Sequence, residues 1–359
     1  MRKIFYVLLA VFLLGSALEA AAQMSRSKIK KNNRRLQTYR GKKYGFGKDK
    51  VYNTIGFSLN ALNYYGDLAP RPGRVSTDLS FTRPAVGLHY SHRFGPRYTL
   101  NGSFIYGTLR GADGESADKN NNDAFFRYTR NLSFRNRVKE LSVVASMDLF
   151  ENQSTYINRA QWTPYAFAGL AVFHHNPQAQ VPQFQLDGVT RFSNAGEWVN
   201  LRDLGTEGQY AQLEKSDANH GIKPYKLIQL AIPFGLGARF RINQLMDFSV
   251  EFGFRYLFTD YIDDVSQNYV DLGVFGNDEL AKAMSYRGNE LAEVRNNPGQ
   301  LHTYTSDRAG GGTYSVVSGY GAEHKDNWRG NAKDKDTYMV TTFKLTYIFG
   351  KTFNRAKFR

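Results

Sequence analysis

The sequence predicts an all-β protein: an eight-stranded antiparallel up-and-down transmembrane β-barrel with long extracellular loops. Three observations predict it. Residues 51–350 alternate apolar and polar side chains with a period of two in separate runs. Long connections alternate with shorter ones between those runs. An N-terminal apolar segment marks export, yet no stretch reaches the roughly eighteen consecutive apolar residues that a helical span needs.

The export segment comes first. Arg2 and Lys3 precede an apolar run from Ile4 to Leu14, and Ala20-Ala21-Ala22 offers small residues for cleavage before Gln23. A charged start, a short apolar centre and a small-residue exit make residues 1–22 a secretory signal. The alternative is a buried N-terminal helix. The mature chain is expected to work outside the cytoplasm, which removes nucleic acid as a partner.

Residues 23–50 follow as a basic arm. Between Ser25 and Lys50 stand eleven basic residues and one acid, Asp49, against a formal charge of +15 for the 359-residue chain. So charged a segment, with so few aliphatics, cannot bury enough surface to fold alone. It is either a solvated leader or an arm that meets an anionic surface, through Arg26, Lys28, Lys30, Lys31, Arg34, Arg35, Lys42 and Lys43. A second basic segment, 351–359, ends the chain with Lys351, Arg355, Lys357 and Arg359.

The barrel is expected over 51–350. Its runs are Ile55/Phe57/Leu59/Ala61, Val86/Leu88/Tyr90 and Tyr98/Leu100/Phe104/Tyr106, then Leu141/Val143/Ala145/Met147/Leu149. A fifth run over 164–174 is blurred by Gly and Ala. Ile228 to Leu236, Phe248 to Phe258 and Met339 to Phe349 complete the set. Each is about the 9–11 residues that cross a bilayer at barrel tilt. A soluble lipocalin-like barrel would turn the same apolar face inward; large aromatics opposite Gly, Ser and charged residues favour the membrane form. Connections run long, short, long, moderate, long, short, long, so all the larger ones emerge at one end. An even strand count returns both barrel ends to the other, periplasmic side.

Tyr52, Tyr64, Tyr65, Phe94, Tyr98, Phe150, Tyr256, Phe258, Tyr347 and Phe349 stand at strand ends and are expected to form interfacial girdles. Pro233 interrupts a run in a barrel that has no free edge, so a bulge at Ile232–Pro233 is expected.

With the apolar face in lipid, the opposite face places Glu140, Asp148, Arg239, Glu251, Arg255, Lys344 and His89 inside. Eight strands enclose a lumen that side chains just fill. Opposite charges there pair as a structural plug, or else line a conducting pore or proton path.

Chemistry-bearing patterns are sparse. His174-His175 point to opposite sides of a strand end, and no His-Glu-x-x-His occurs. Gly310-Gly311-Gly312 lacks the following Lys-Ser/Thr of a phosphate loop. Asp260, Asp263 and Asp264, like Asp113, Asp118 and Asp123, do not follow a calcium-loop pattern, and a solvated or locally hydrogen-bonded cluster is expected. The absence of cysteine removes thiolate metal sites, thiol nucleophiles and a lipoprotein anchor. No enzyme, metal or cofactor is expected.

Several short motifs recur in order. Asn63-Tyr64-Tyr65-Gly66-Asp67-Leu68 closes the first strand and Arg83-Pro84 opens the second. Arg130-Asn131-Leu132-Ser133-Phe134, Thr163-Pro164-Tyr165, Asn176-Pro177 and Leu204-Gly205-Thr206-Glu207-Gly208-Gln209 follow. Ile232-Pro233-Phe234-Gly235 and Thr259-Asp260-Tyr261-Ile262-Asp263-Asp264-Val265-Ser266 complete the set. In these the chain resembles a Bacteroidota family of outer-membrane barrels, the one that includes PorG of the type IX secretion system. The resemblance implies a non-enzymatic barrel that ties periplasmic secretion-system subunits to the outer membrane, with outer-membrane lipid as its other partner. Two other readings stay open: an adhesive, OmpX-like structural barrel with ligand-binding loops, and a narrow pore.

Overall fold

The computed structural model describes residues 50–69, 81–117, 120, 125–308, 310–319 and 323–349. The signal segment, the eight basic residues Arg26 to Lys43 assigned to anionic contact, Asp118, Asp123 and the tail 351–359 lie outside the described residues.

Twelve strands are described: β1 (Tyr52–Tyr65), β2 (Arg83–Arg93), β3 (Tyr98–Ala112), β4 (Ser133–Asp148), β5 (Trp162–His174), β6 (Pro177–Gln180), β7 (Trp198–Asn200), β8 (Ile228–Arg241), β9 (Met246–Leu257), β10 (Leu301–Thr305), β11 (Thr313–Val317) and β12 (Thr337–Phe349). Eight of them close in the order β1-β2-β3-β4-β5-β8-β9-β12, each antiparallel to its neighbours, with β12 paired back to β1. The ladder can be walked from Asn53 through His92, Leu100, Ala145, Ala168, Phe234, Phe254 and Met339. It re-enters β1 at Asn63, ten residues further along. Eight strands with that shear tilt by about 40–45°.

Outward positions on these strands carry Ile55, Phe57, Leu59, Leu88, Phe104, Leu141, Val143, Leu170, Leu230, Leu236, Phe252 and Phe343, all exposed in the isolated chain. A wall of this kind is unstable in water and stable against acyl chains. Among the described residues no helix is long and apolar enough to cross a membrane. The chain is an outer-membrane protein.

Two expectations change. Tyr52, Tyr64 and Tyr65 are buried rather than part of a girdle. Tyr52 and Tyr64 share the parity of Thr54 and Ser58 and so point inward. Phe94, Phe150, Tyr256, Phe258, Tyr347 and Phe349 are exposed as expected, with Trp162 beside Phe150. Pro233 sits in β8 without a bulge. The β5 ladder lapses between Ala168↔Phe234 and Ala171↔Ala231 and resumes on the same register, while Pro233 pairs with Arg255 on β9. Losing one inter-strand bond on one side costs less than a slip that would turn every later side chain to the wrong face. The long connections are structured. β6 and β7 extend the sheet from β4, β10 and β11 form a separate hairpin, and helices cover Phe125–Arg130 and Glu279–Ser285.

Candidate functional site, a sealed lumen beneath a buried cap

The inward face of each strand changes character along the barrel. At the end with the short turns, Asp148 accepts from Arg93 at 2.6 Å and faces Arg239 at 3.6 Å. Beside it Asp247 holds Arg159 at 2.6 Å, and Arg159 also donates to the carbonyls of Tyr156, Asn243, Gln244 and Met246, clamping two turns together.

Further in, Arg255 pairs with Glu140 at 3.0 Å, and the Tyr338 hydroxyl donates to the same carboxylate at 2.6 Å. Lys344 pairs with Glu251, which also accepts from Tyr165 at 2.6 Å. Thus all six charged residues expected in the plug lie in the lumen and are paired. Sequence reading missed Arg93, Arg159 and Asp247. Arg93 shares the inward parity of His89 and Ser91, and Asp247 that of Glu251, so both were within reach of the alternation. Arg159 lies in a turn, where periodicity carries no signal.

Hydroxyls fill the space around these pairs. A cavity of about 60 Å³ is bordered by Thr54, His89, Ser91, Ser103, Ser142, Ser249 and Thr342 among others. It has room for about four waters. Ser103 and Ser142 touch at 2.7 Å, and His89 Nε2 lies 2.8 Å from Ser58 Oγ.

Towards the long loops the polar lining ends. Leu62, Ile105, Leu109, Val138, Phe173, Leu257 and Val340 turn inward and pack with Ile262 and Val265 from the connection after β9. Gly107 makes the fit possible: a Cβ there would stand 2.6 Å from Leu62 Cδ1 and 2.3 Å from Ala85 Cβ. Among the described residues this collar forms an apolar layer across the lumen, of the kind that opposes the passage of water and ions.

Above the collar the four long connections interlock through a buried charged network. Arg329, the largest fully buried side chain, donates to Glu207 Oε1 at 3.1 Å and to the Asp264 carbonyl at 2.6 Å. Glu207 accepts in addition from the amides of Ser266 and Gln267, and Asp264 from Thr206 and Tyr225. Arg130 grips Asp113 with two bonds of 2.8 Å and reaches the carbonyls of Asp67 and Arg329. Tyr64 Oη lies 2.6 Å from Asp263 Oδ2 and 3.0 Å from Asp336 Oδ1. The single phenol hydrogen is shared between two carboxyl groups that burial pushes towards their protonated form.

Asp260, Asp263 and Asp264 are therefore buried and hydrogen-bonded, not solvated. Burial raises Asp264 and Asp67 to about 6 and Asp260 to about 8, and lifts Asp263 and Asp336 well above the usual carboxylate range. Among the described residues no group of acids and histidines is arranged to hold a metal ion. His175 is likewise buried, its ring stacked on Tyr225, while His174 takes the opposite side.

The fold and this site define a class: a closed, capped, outer-membrane β-barrel whose interior is paired and sealed. Residues 47–190 match the model of a domain of unknown function, DUF6089. No curated protein matches the sequence. Among solved structures the chain is similar to OprG from Pseudomonas aeruginosa, at 8% identity and a TM-score of 0.33 over 84% of this chain and 97% of that one. It is similar to Neisserial surface protein A at 8% identity and a TM-score of 0.31, covering 84% and 99%. Ail of Yersinia pestis, solved with a heparin analogue, is similar at 6% identity and a TM-score of 0.29, covering 83% and 97%.

Proposed function

We propose that the protein is a non-enzymatic outer-membrane anchor: a closed barrel that presents its basic arm, and the basic tail beside it, to an acidic periplasmic assembly. The observation that carries this reading is the sealed lumen. Among the described residues the interior is crossed by an apolar collar, and its charged groups are paired with one another. What remains for the chain to offer the periplasm is the pair of segments leaving β1 and β12. Those strand ends are neighbours, since Asn53 pairs with Phe349, and they emerge at the end with the short turns. A +10 arm suits an acidic protein surface. The family resemblance makes subunits of a type IX secretion assembly the expected partners.

The test is affinity purification from the native outer membrane, comparing the intact protein with a variant in which Arg26, Lys28, Lys30, Lys31, Arg34, Arg35, Lys42 and Lys43 are changed to Gln. Partner recovery should fall at least tenfold while the barrel still migrates as a folded, heat-modifiable band. Undiminished recovery would sink the proposal.

A further inference from the structure

On barrel strands other than β3 and β4 the last outward residues before the loops are uncharged, as Ile228 on β8 and Tyr256 on β9 are, with at most a single lysine such as Lys226 or Lys335 beyond them. One sector differs. At the loop end of β4 three successive outward positions are Arg135, Arg137 and Lys139, directly continuing the row Leu141 and Val143 that faces lipid. Alternate residues on one strand stand about 6.8 Å apart, so the three cations line up over about 14 Å. Arg110 on β3 pairs across the ladder with Arg135, adding a fourth.

The charges are not used inside the protein. Arg137 and Lys139 are exposed, and neither has an ion-pair partner among the described residues. Arg110 has one, Glu115. Arg135 is held in place instead of neutralised: its guanidinium lies 3.6 Å over the Trp198 ring, and Nε donates to Gln178 at 3.2 Å. Cations in a row at the rim of a hydrocarbon layer repel one another, and anions that come to them relieve that repulsion. The preorganised, stacked arginine marks a planar fork suited to phosphate.

We propose that the outer face of β3 and β4 is a binding site for a phosphorylated glycolipid of the outer leaflet. Its phosphates contact Arg135, Arg137, Lys139 and Arg110, and its acyl chains lie on Leu141 and Val143. The continuity of the row decides for a lipid over a soluble anion, because a headgroup anchored by chains on Leu141 is delivered to Lys139 with no further search. The site rests on the orientation that puts the long loops outside.

Trp198 gives a direct readout, since a phosphate bound to Arg135 alters the field on the indole. Titrations of the purified barrel carrying Trp162→Phe/Trp328→Phe with bis-phosphorylated lipid A, its dephosphorylated form and inorganic phosphate should follow Trp198 emission, with native mass spectrometry counting bound lipid in the parent and in every variant. Each cation near an anionic surface contributes roughly fivefold. Arg135→Gln/Arg137→Gln/Lys139→Gln should therefore bind lipid A about a hundredfold more weakly, and Arg137→Gln, an exposed site that does not threaten folding, about fivefold. Lys223→Gln/Lys226→Gln should bind normally. Equal binding by the triple variant or by dephosphorylated lipid overturns the site, as does equal loss in the Lys223/Lys226 control. Inorganic phosphate binding as tightly as the lipid overturns the choice of ligand. Orientation is read separately from a single cysteine at Lys325 in this cysteine-free chain. If it escapes labelling in intact cells, the topology is wrong; if it is labelled and lipid binding is unaltered by the triple variant, only the lipid site fails.

Discussion

Replacing Arg329 by Met tests whether the cap is held by its charged network. Arg329 is 1% exposed, and the two carboxylates it faces, Glu207 and Asp264, are fully buried. Methionine roughly conserves length but removes both ion pairs and the bonds to the Asp264 and Ser285 carbonyls. Removing one partner from a buried ionic group costs about 3–5 kcal/mol, because the remaining charge is stranded. Glu207 keeps the amides of Ser266 and Gln267, and Asp264 keeps Thr206 and Tyr225, which places the expected loss at the lower end, about 3 kcal/mol. Three kcal/mol is roughly a 150-fold increase in cap opening. Hydrogen exchange at the amides of Ser266 and Gln267 reads that opening, while the amides of β1 and β12 report the barrel and should not change. The defect also depends on pH. Asp264 is already raised to about 6, by burial first and against the pull of Arg329, so without Arg329 it rises further and binds a proton near neutrality. The stranded charge then vanishes in acid, and the defect should be smaller at pH 5 than at pH 8. Arg329→Met/Glu207→Gln/Asp264→Asn, which removes all three charges, should recover most of the protection. Exchange in Arg329→Met within threefold of the parent at pH 8 would refute the reasoning.

The remaining predictions concern the same layers. In the parent protein the cap acids have folded pKa values above their unfolded ones, so between about pH 4 and 8 the folded cap binds more protons than the unfolded chain. Its opening free energy should fall as pH rises through that window, and Asp260→Asn should flatten the upper part of the slope. Glu140→Gln should cost the barrel about 3 kcal/mol in urea unfolding in lipid, by stranding Arg255, and Glu140→Gln/Arg255→Met should return most of it. The parent should be silent in planar bilayers, whereas Phe173→Ser/Leu257→Ser, which wets the apolar collar, should give conductance steps; a silent double variant would place the seal elsewhere. Pro233→Ala should make the amide at 233 exchange-protected and add up to about 1 kcal/mol, since the register already permits the missing ladder bond.

Where a side chain's role follows from its parity on a strand, the sequence was enough. Glu140 and Asp148, Glu251 and Arg255, and Lys344 each fall on the polar phase of a run whose other phase is apolar, and that assigns them to the lumen once the wall is taken as lipid-facing. Pairing was expected from the expense of lone charges in a narrow space. The collar was harder to see. Leu62, Ile105, Val138 and Val340 lie on the same inward phase as Ser58, Ser103, Ser142 and Thr342, so the inward face itself changes from polar to apolar along the strand. Alternation then fades into an apolar run that reads as a strand end. The cap was invisible for a different reason. Arg329 meets Glu207 across 122 residues and Tyr64 meets Asp336 across 272, and no local period relates residues so far apart. The motifs around Asp67, Arg130, Glu207 and Asp264 singled out these positions without revealing that they form one buried network.

That network also explains why the lumen and the long loops should be considered as one device. The ion pairs near the short turns leave a chamber of about 60 Å³ lined largely by polar side chains, which does not itself close the lumen with apolar groups. Closure comes from the collar, and the collar is completed by Ile262 and Val265, which are not barrel residues. Their backbone is held by the cap: the Ile262 amide donates to Asp336 and its carbonyl accepts from Asn136, while the Val265 amide donates to Asp263. Asp263 and Asp336 are in turn bridged by Tyr64 at the top of β1. Loosening the acids therefore loosens the residues that stop the lumen. A barrel meant as a pore would gain nothing from burying this many charges to hold two apolar side chains over its axis. In a closed barrel the same expense has a use, because it keeps Ile262 and Val265 packed against the apolar collar.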